Sequence, residues 1–491
     1  MDTADTQHLQ SLTIPQLLRW RVERTGDKVA LREKEFGRWN SYTWNDYYHL
    51  VRKTGLGLQK LGLKKGDAIA LIGDNIPEML FTAIGAQAVG GISVAIYQTT
   101  MPEEIAQLLG YMDVSMVFCD NQEQVDKIVE IREQVPGVKH VIYEDPRGMR
   151  GYRSDDWFVF IEDLYRLGDD VHAENPDLFE SLLDQGTADQ VCHLCLTSGT
   201  TGLSKGTMLT HKNFISMGLQ LTDADPLADT DEYLSFLPFA WIGEQMNSFG
   251  VAMATGITIN FPESVETAMQ DLKEIGPHFM FGAPRIYETI RSQIWLKIDE
   301  SYWLNRKLYY YFIKIGEKAA GYRMSSKSMP LGLKFKAWLG YQIMFRPLIN
   351  QIGLRRLRRA YTGGAALGPE LFTFYQAIGV NLKQIYGQTE VAGYSTIHRD
   401  GDINFDSVGI PVPAADIRIN EPDAEGVGEV IATGPGLFQG YLKNEEATRE
   451  TIIDGWLHSG DAGYFTEDGH LVIIDRVKDL MHLTGGANKK E

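Results

Sequence analysis

The chain has 491 residues, 44% hydrophobic and 23% charged, enough for roughly three units of about 150 residues with ordinary buried cores. A formal net charge of −18 argues against a nucleic-acid partner. Three cysteines cannot make a disulfide framework, and the polar start MDTADTQHLQ shows no secretory signal, so the expected setting is cytoplasmic.

The first third alternates helix and strand. Helical periodicity covers Leu12–Glu23, and Lys28–Arg32 reads as strand. Thr43-Trp44-Asn45-Asp46 resembles a capping box opening a helix that ends near Gly62. Strand Ala68–Ile72, helix Pro77–Ala88, strand Ile92–Tyr97 and helix Pro102–Met112 follow. Strand Met116–Cys119, helix Gln124–Gln134 and strand Lys139–Tyr143 complete the series. Short apolar strands between helical patterns predict a parallel sheet covered on both faces. The uncharged stretch Met79–Pro102 has the length of a membrane span, but its glycines, glutamines and threonines divide it into a helix and a strand. Gly148–Gln190 is polar and acidic and reads as a surface connector.

An apolar run, Val191–Leu196, leads into Thr197-Ser198-Gly199-Thr200-Thr201-Gly202, closed by Lys205-Gly206. Glycine permits close backbone approach, successive N–H groups can cradle an anion, and the lysine adds a full charge. This is a phosphate grip without the Walker A pattern; the alternative is a hydroxyl-rich surface loop. Cys192 and Cys195 have CxxC spacing, but the apolar run makes them buried strand residues in preference to a redox or metal pair.

Alternation resumes with Tyr233–Pro238, Gly256–Phe261 and His278–Ala283. Tyr302–Arg359 then carries 13 lysines and arginines against one acid, Glu317, interleaved with aromatics over two or three amphipathic helices. Such a segment suits an anionic membrane surface or a polyanionic ligand; a solvated hairpin with its aromatics facing the core suits it equally. Arg359–Thr362 runs into a glycine turn. After Asp406, Ala415–Asn420, Gly428–Thr433 and His470–Asp475 read as a small antiparallel sheet or barrel.

Three more segments give the loop a context: Tyr386-Gly387-Gln388-Thr389-Glu390, Gly455-Trp456-Leu457-His458-Ser459-Gly460-Asp461, and Asp475-Arg476-Val477-Lys478-Asp479-Leu480. In this order, with LTSGTTGLSKGTMLTH, they resemble the core motifs of the adenylate-forming superfamily. Gly282-Ala283-Pro284-Arg285-Ile286-Tyr287-Glu288 and the insert from about Lys297 to Arg359 resemble its long-chain and bubblegum-type fatty acyl-CoA synthetases.

The resemblance implies an α/β large domain with two mostly parallel sheets covered by helices, plus a small β-barrel subdomain. The expected divisions are 1–400 (with the insert at 297–359), 401–475, a hinge at 476–480 and a stub at 481–491. It implies conversion of a fatty acid and ATP to an acyl-adenylate, then a thioester with CoA. Thr197–Lys205 would hold the β- and γ-phosphates, Thr389 would contact a phosphate, and Glu390 and Thr201 would ligate Mg²⁺. Asp461 would take the ribose hydroxyls and Arg476 would assist. Gly364-Ala365-Ala366 would line the adenine, with Tyr386 stacking on it beside Gly387 and Gln388. Trp241, Gly282, Ala283 and Arg285 would face the acid.

Three departures from the pattern bear on this. Ser204 replaces a proline in the loop, and Trp241 stands where many relatives have histidine. Relatives also continue for on the order of a hundred residues past the hinge, carrying a lysine that reaches the site. Lys489 and Lys490 come too soon to be that lysine, so the expectation is a large domain with a stub, slow in adenylation. Aryl-acid, sterol-acid or carrier-protein adenylation, and nucleotide or acyl-adenylate binding without turnover, remain the alternatives.

Overall fold

The computed structural model describes residues 3–197, 204–324, 328–365 and 367–477. A seven-stranded sheet has the spatial order Phe158–Phe160, His140–Tyr143, Val114–Cys119, Ala68–Ile72, Ile92–Ile96, Val191–Thr197, Lys205–Thr210, and every neighbouring pair is parallel except the last. The capping box at Thr43 is formed: its Oγ1 accepts from the Asp46 amide at 3.1 Å, and the Asp46 carboxylate accepts from the Thr43 amide at 2.8 Å. Of the uncharged stretch Met79–Pro102, the part up to Ile96 is largely interior, whereas Tyr97, Thr99 and Met101 are exposed. Helix Pro77–Ala88 is buried along its length except at Glu78, and a Cβ on Gly55 of the neighbouring helix would lie 2.7 Å from the Gly85 carbonyl oxygen. Among the described residues no helix is long and apolar enough to cross a membrane.

The segment Gly148–Gln190 is more than a surface connector. Phe158–Phe160 is an edge strand, and helices Ile161–Glu174 and Leu178–Asp184 follow it. Ile161, Leu164, Tyr165 and Gly168 repeat at helical spacing and are buried, while the acids that dominate the composition lie on the other face. Gly168 lets this helix press on Trp44–Lys60: a Cβ there would sit 1.9 Å from the Lys53 carbonyl oxygen.

A nine-stranded sheet supplies the second layer. Its parallel centre runs Leu382–Tyr386, Arg359–Thr362, Phe279–Gly282, Glu232–Leu234, Thr258–Phe261, Val29–Glu35. One edge is the antiparallel strand Arg38–Thr43, unread in the sequence, which returns through Phe36 and Gly37, both with positive φ (47° and 74°), as a two-residue hairpin requires. The basic insert is helical as expected, with helices Trp303–Met324, Leu331–Gly340 and Arg346–Gln351 and a π-helical turn at Tyr341–Phe345.

The third unit is a five-stranded antiparallel sheet. It contains Asp416–Asn420, Gly428–Thr433, Leu471–Arg476, the two-residue strand Ile452–Ile453, and Trp456–Phe465, a ten-residue strand that carries the Gly455–Asp461 motif from Trp456 onward.

Candidate functional site

Several of the residues singled out from sequence gather where parallel strands end. Glu232–Leu234, Phe279–Gly282, Arg359–Thr362 and Leu382–Tyr386 run in one direction, so the segments after them open on one edge of the sheet. These segments supply Trp241, Ala283, Gly363-Gly364 and Gly387-Gln388-Thr389. Trp241, Gly364, Gly387, Gln388 and Thr389 line one cleft of about 120 Å³, together with Phe281, Ile385 and Tyr394. Gly387 is required there, because a Cβ would lie 2.4 Å from the Gly393 carbonyl oxygen. Gly282 and Ala283 flank the cleft wall without lining it, and Arg285 is exposed on the first turn of helix Pro284–Asp299.

The small sheet closes one side through Asp461. Its Oδ2 accepts from the Tyr386 phenol at 2.7 Å and from Gln388 Nε2 at 2.9 Å, and its Oδ1 faces Arg476 Nη1 at 3.1 Å. Asp461 and Arg476 are register partners on adjacent strands, which explains how residues fifteen apart meet. Arg476 also donates to the Ser459 carbonyl at 3.1 Å. Burial and the neighbouring Asp461 push the Tyr386 phenol far above its usual range, so it remains a donor.

The segment expected from sequence to grip phosphate lies between two paired strands. Val191–Thr197 and Lys205–Thr210 form a hairpin that pairs Thr197 with Lys205, so the grip is the connection between two antiparallel strands. Ser198, Gly199, Thr200, Thr201 and Gly202 lie outside the described residues, as do Ala366 and everything after Val477, including Lys478 of the hinge and the expected stub. Cys192 and Cys195 are buried free thiols on this strand, as expected, and burial raises Cys195 to about 12.

Tyr441 links two charged residues, Lys205 and Glu390. Its phenol donates to Glu390 Oε1 at 2.7 Å, and the Lys205 ammonium lies 4.7 Å from its ring centroid. Strand Lys205–Thr210 would otherwise be a bare edge. Instead Met208 N donates to Gly440 O, Leu442 N donates to Gly206 O, and Thr207 bridges Tyr441, so backbone pairing places the phenol. Desolvation, then the charge of Glu390, holds the Tyr441 phenol well above its ordinary range and therefore protonated. With one Glu390 oxygen taken by Tyr441, the second is left for a hard cation. Among the described residues no group of three potential ligands gathers. A lone carboxylate fits Mg²⁺ held mainly by phosphate oxygens and water.

The cleft wall that contains Trp241 is packed with aromatics. Trp241 stacks on Phe281 with centroids 5.1 Å apart and planes at 9°, and a Cβ on Gly364 would lie 3.3 Å from the indole. Behind the cleft is a buried polar network. Glu244 accepts from Tyr233 at 2.5 Å, Ser235 at 2.6 Å and Ser248 at 3.2 Å, while Asn247 connects Tyr233 to Tyr394 in the cleft wall. Burial raises the Glu244 carboxyl to about 7. Tyr441, Phe281 and Glu244 were not read from sequence. Gly440-Tyr441 in a glycine-rich turn was the available signal for the first.

These features define a nucleotide-type α/β site at strand carboxyl ends, completed by a small antiparallel sheet. A family profile described as AMP-binding enzyme matches residues 18–442, and the chain belongs to that family. It is 29% identical over 499 aligned residues to the long-chain-fatty-acid–CoA ligase ACSBG2 of Xenopus laevis, covering 99% of this chain and 66% of that protein. It is 30% identical over 485 residues to the long-chain-fatty-acid–CoA ligase ACSBG1 of Homo sapiens, covering 97% of this chain and 66% of that protein. The chain thus spans just under two thirds of the length of these curated relatives. In fold it resembles the N-terminal domain of FACL13 from Mycobacterium tuberculosis, with TM-score 0.70, 20% identity, and 95% of this chain and 100% of that one covered. It also resembles the anthranilate CoA ligase AuaEII in complex with anthranoyl-AMP, with TM-score 0.70, 20% identity, and 96% of this chain and 79% of that one covered. The fold is that of the N-terminal domain of adenylate-forming enzymes.

Proposed function

We propose that this chain forms the ATP- and acid-binding part of a fatty acid–CoA ligase acting on long-chain acids. The observation that carries the reading is the convergence of Trp241, Gly364, Gln388 and Thr389 on one cleft, with Asp461–Arg476 on one side and Lys205–Tyr441–Glu390 on the other. In the proposed reaction a carboxylate oxygen attacks the α-phosphorus of ATP and pyrophosphate leaves. A thiolate then attacks the acyl carbonyl and AMP leaves. Asp461 can accept the ribose hydroxyls, while Lys205 balances phosphate charge. Mg²⁺, held by Glu390, would neutralise charge on the leaving phosphates. Trp241 supplies apolar packing and one N–H donor, and no positive charge, beside the acid.

A slot of about 220 Å³ opens between the carboxyl ends of both sheets. Its lining includes Asn75, Tyr97, Gln98 and the Ser235–Ala240 segment that leads into Trp241, which supports it as the thiol route. A second reading, an aryl acid as substrate, is favoured by the 120 Å³ cleft, well below the several hundred Å³ usual for larger ligands, and by the Trp241–Phe281 stack that closes it. Release of AMP with palmitate, benzoate or acetate, each with and without CoA, tests the proposal. Palmitate should be preferred and CoA should be required for turnover; a preference for benzoate would favour the second reading.

A further inference from the structure

Glu244 is a buried carboxyl that the proposed reaction does not use. It is fully buried, as are Tyr233, Ser235, Asn247 and Ser248 around it, and no cation stands among the groups that act on it. An apolar side chain of the same volume would suit packing at least as well. What the carboxyl holds in place therefore accounts for it better than packing does.

Its two oxygens anchor two branches. From Oε1 the first runs to the slot. Ser235 donates to that oxygen at 2.6 Å, and Asn75 Nδ2 donates to Ser235 Oγ at 2.9 Å and to the Leu237 carbonyl at 2.6 Å. Asn75, Ser235 and Leu237 belong to the slot lining. From Oε2 the second branch runs to the cleft. The Tyr233 phenol donates to it at 2.5 Å, Asn247 Nδ2 donates to the phenol oxygen at 3.2 Å, and Tyr394 donates to Asn247 Oδ1 at 2.8 Å. The Tyr394 ring stands edge-on to Phe281, with centroids 6.2 Å apart and planes at 80°, and Phe281 carries the Trp241 stack.

The backbone is shaped around the same carboxyl. Glu244 lies one turn after Trp241 and its amide donates to the Trp241 carbonyl at 3.0 Å. A π-helical turn follows at once, Met246–Val251, and it contains Asn247 and Ser248, which reach Tyr233 and Glu244 Oε1. Such widened turns are rare and recur at functional sites.

We propose that Glu244 is a positioning residue for both half-reactions. Through Tyr233 and Asn247 it fixes the Tyr394–Phe281–Trp241 wall for the acid; through Ser235 it fixes Asn75 in the slot for the thiol. The identity of the two ligands rests on the function proposed above, whereas the two-branched anchor rests on the hydrogen bonds.

Thioester formation from synthetic palmitoyl-adenylate and CoA tests it, because each cavity then has its own KM. Ser235→Ala should raise the KM for CoA about five-fold and leave that for the adenylate unchanged. Tyr233→Phe should do the reverse, each effect equivalent to a hydrogen bond of about 1 kcal/mol. Glu244→Gln keeps the volume but has one acceptor oxygen, which should stay with the two serine donors, so this variant should behave like Tyr233→Phe. A second readout needs no substrate: acrylamide quenching of Trp241 emission, taken as the difference from the matching Trp241→Phe protein. Quenching should rise in Glu244→Gln and Tyr233→Phe and not in Ser235→Ala, with circular dichroism unchanged in all three. Equal effects of the three variants on both KM values, or unaltered Trp241 quenching in Glu244→Gln, would overturn the proposal. A chain that forms no thioester yet shows the branch-specific quenching has lost the ligase reading and kept this one.

Discussion

Replacing Tyr441 with phenylalanine removes one oxygen from the junction between Glu390 and Lys205 and leaves the ring in place. The lost bond joins a phenol to a carboxylate at 2.7 Å, a class worth about 1.5–3 kcal/mol. Glu390 is partly exposed, so water recovers much of this, and about 1 kcal/mol of positional order should be lost. That corresponds to a roughly five-fold weaker affinity for Mg²⁺·ATP. The ring 4.7 Å from Lys205 Nζ is retained, so affinity for ATP without the metal should not change. Tyr441→Leu removes both contacts. It should lose a further ~0.5–1 kcal/mol from the cation–π contact, and that part should persist in the absence of metal. Calorimetric titration of ATP with and without Mg²⁺ on both variants measures the two contributions separately. Equal weakening of Tyr441→Phe in the two conditions, or none, would refute the assignment of the phenol to the metal-side carboxylate.

Other elements give equally specific expectations. Lys383 is fully buried with Asp225 and Asp400 each at 2.5 Å, so Asp225→Asn should lower stability by about 3–5 kcal/mol in chemical denaturation. Gly168→Ala forces a Cβ onto the Lys53 carbonyl and should destabilise the helix pair by about 1–3 kcal/mol, measured in the same way. Glu244 titrates near 7 when folded against a usual 4.5, so its stabilising contribution is full below about pH 4.5 and is lost as pH rises through 7. Thermal melts from pH 5 to pH 8 should therefore fall less steeply for Glu244→Gln than for the unaltered protein, a difference of up to about 3 kcal/mol. Asp120 and Glu144, both raised to about 7 by burial, contribute the same slope to both proteins and cancel in the comparison.

The parallel core was legible because its strands are short apolar runs and its helices carry their own caps. Ala68–Ile72 and Pro77–Ala88 have the expected bounds. The helices after Trp157 were hidden by their outer faces: acids such as Glu162, Asp163, Asp169 and Asp170 set the composition, whereas four small or apolar positions set the fold. The site motifs were legible as local strings. What joins them was not, because Asp461 meets Tyr386, and Tyr441 meets Glu390, through tertiary register that no spacing encodes. The insert was half legible. Its charge was plain, but the division of its aromatics between core and surface depends on which stripe of each helix finds a partner.

In the proposed function the carboxyl-end cleft is an acyl-adenylate site. Direct titration of a non-hydrolysable palmitoyl-adenylate analogue tests it most closely. Because the two halves are linked, binding should be tighter than for ATP or palmitate alone by on the order of 100-fold or more. It should collapse in Asp461→Ala. Analogue binding no tighter than ATP, or equal binding to the Asp461→Ala variant, would contradict the account.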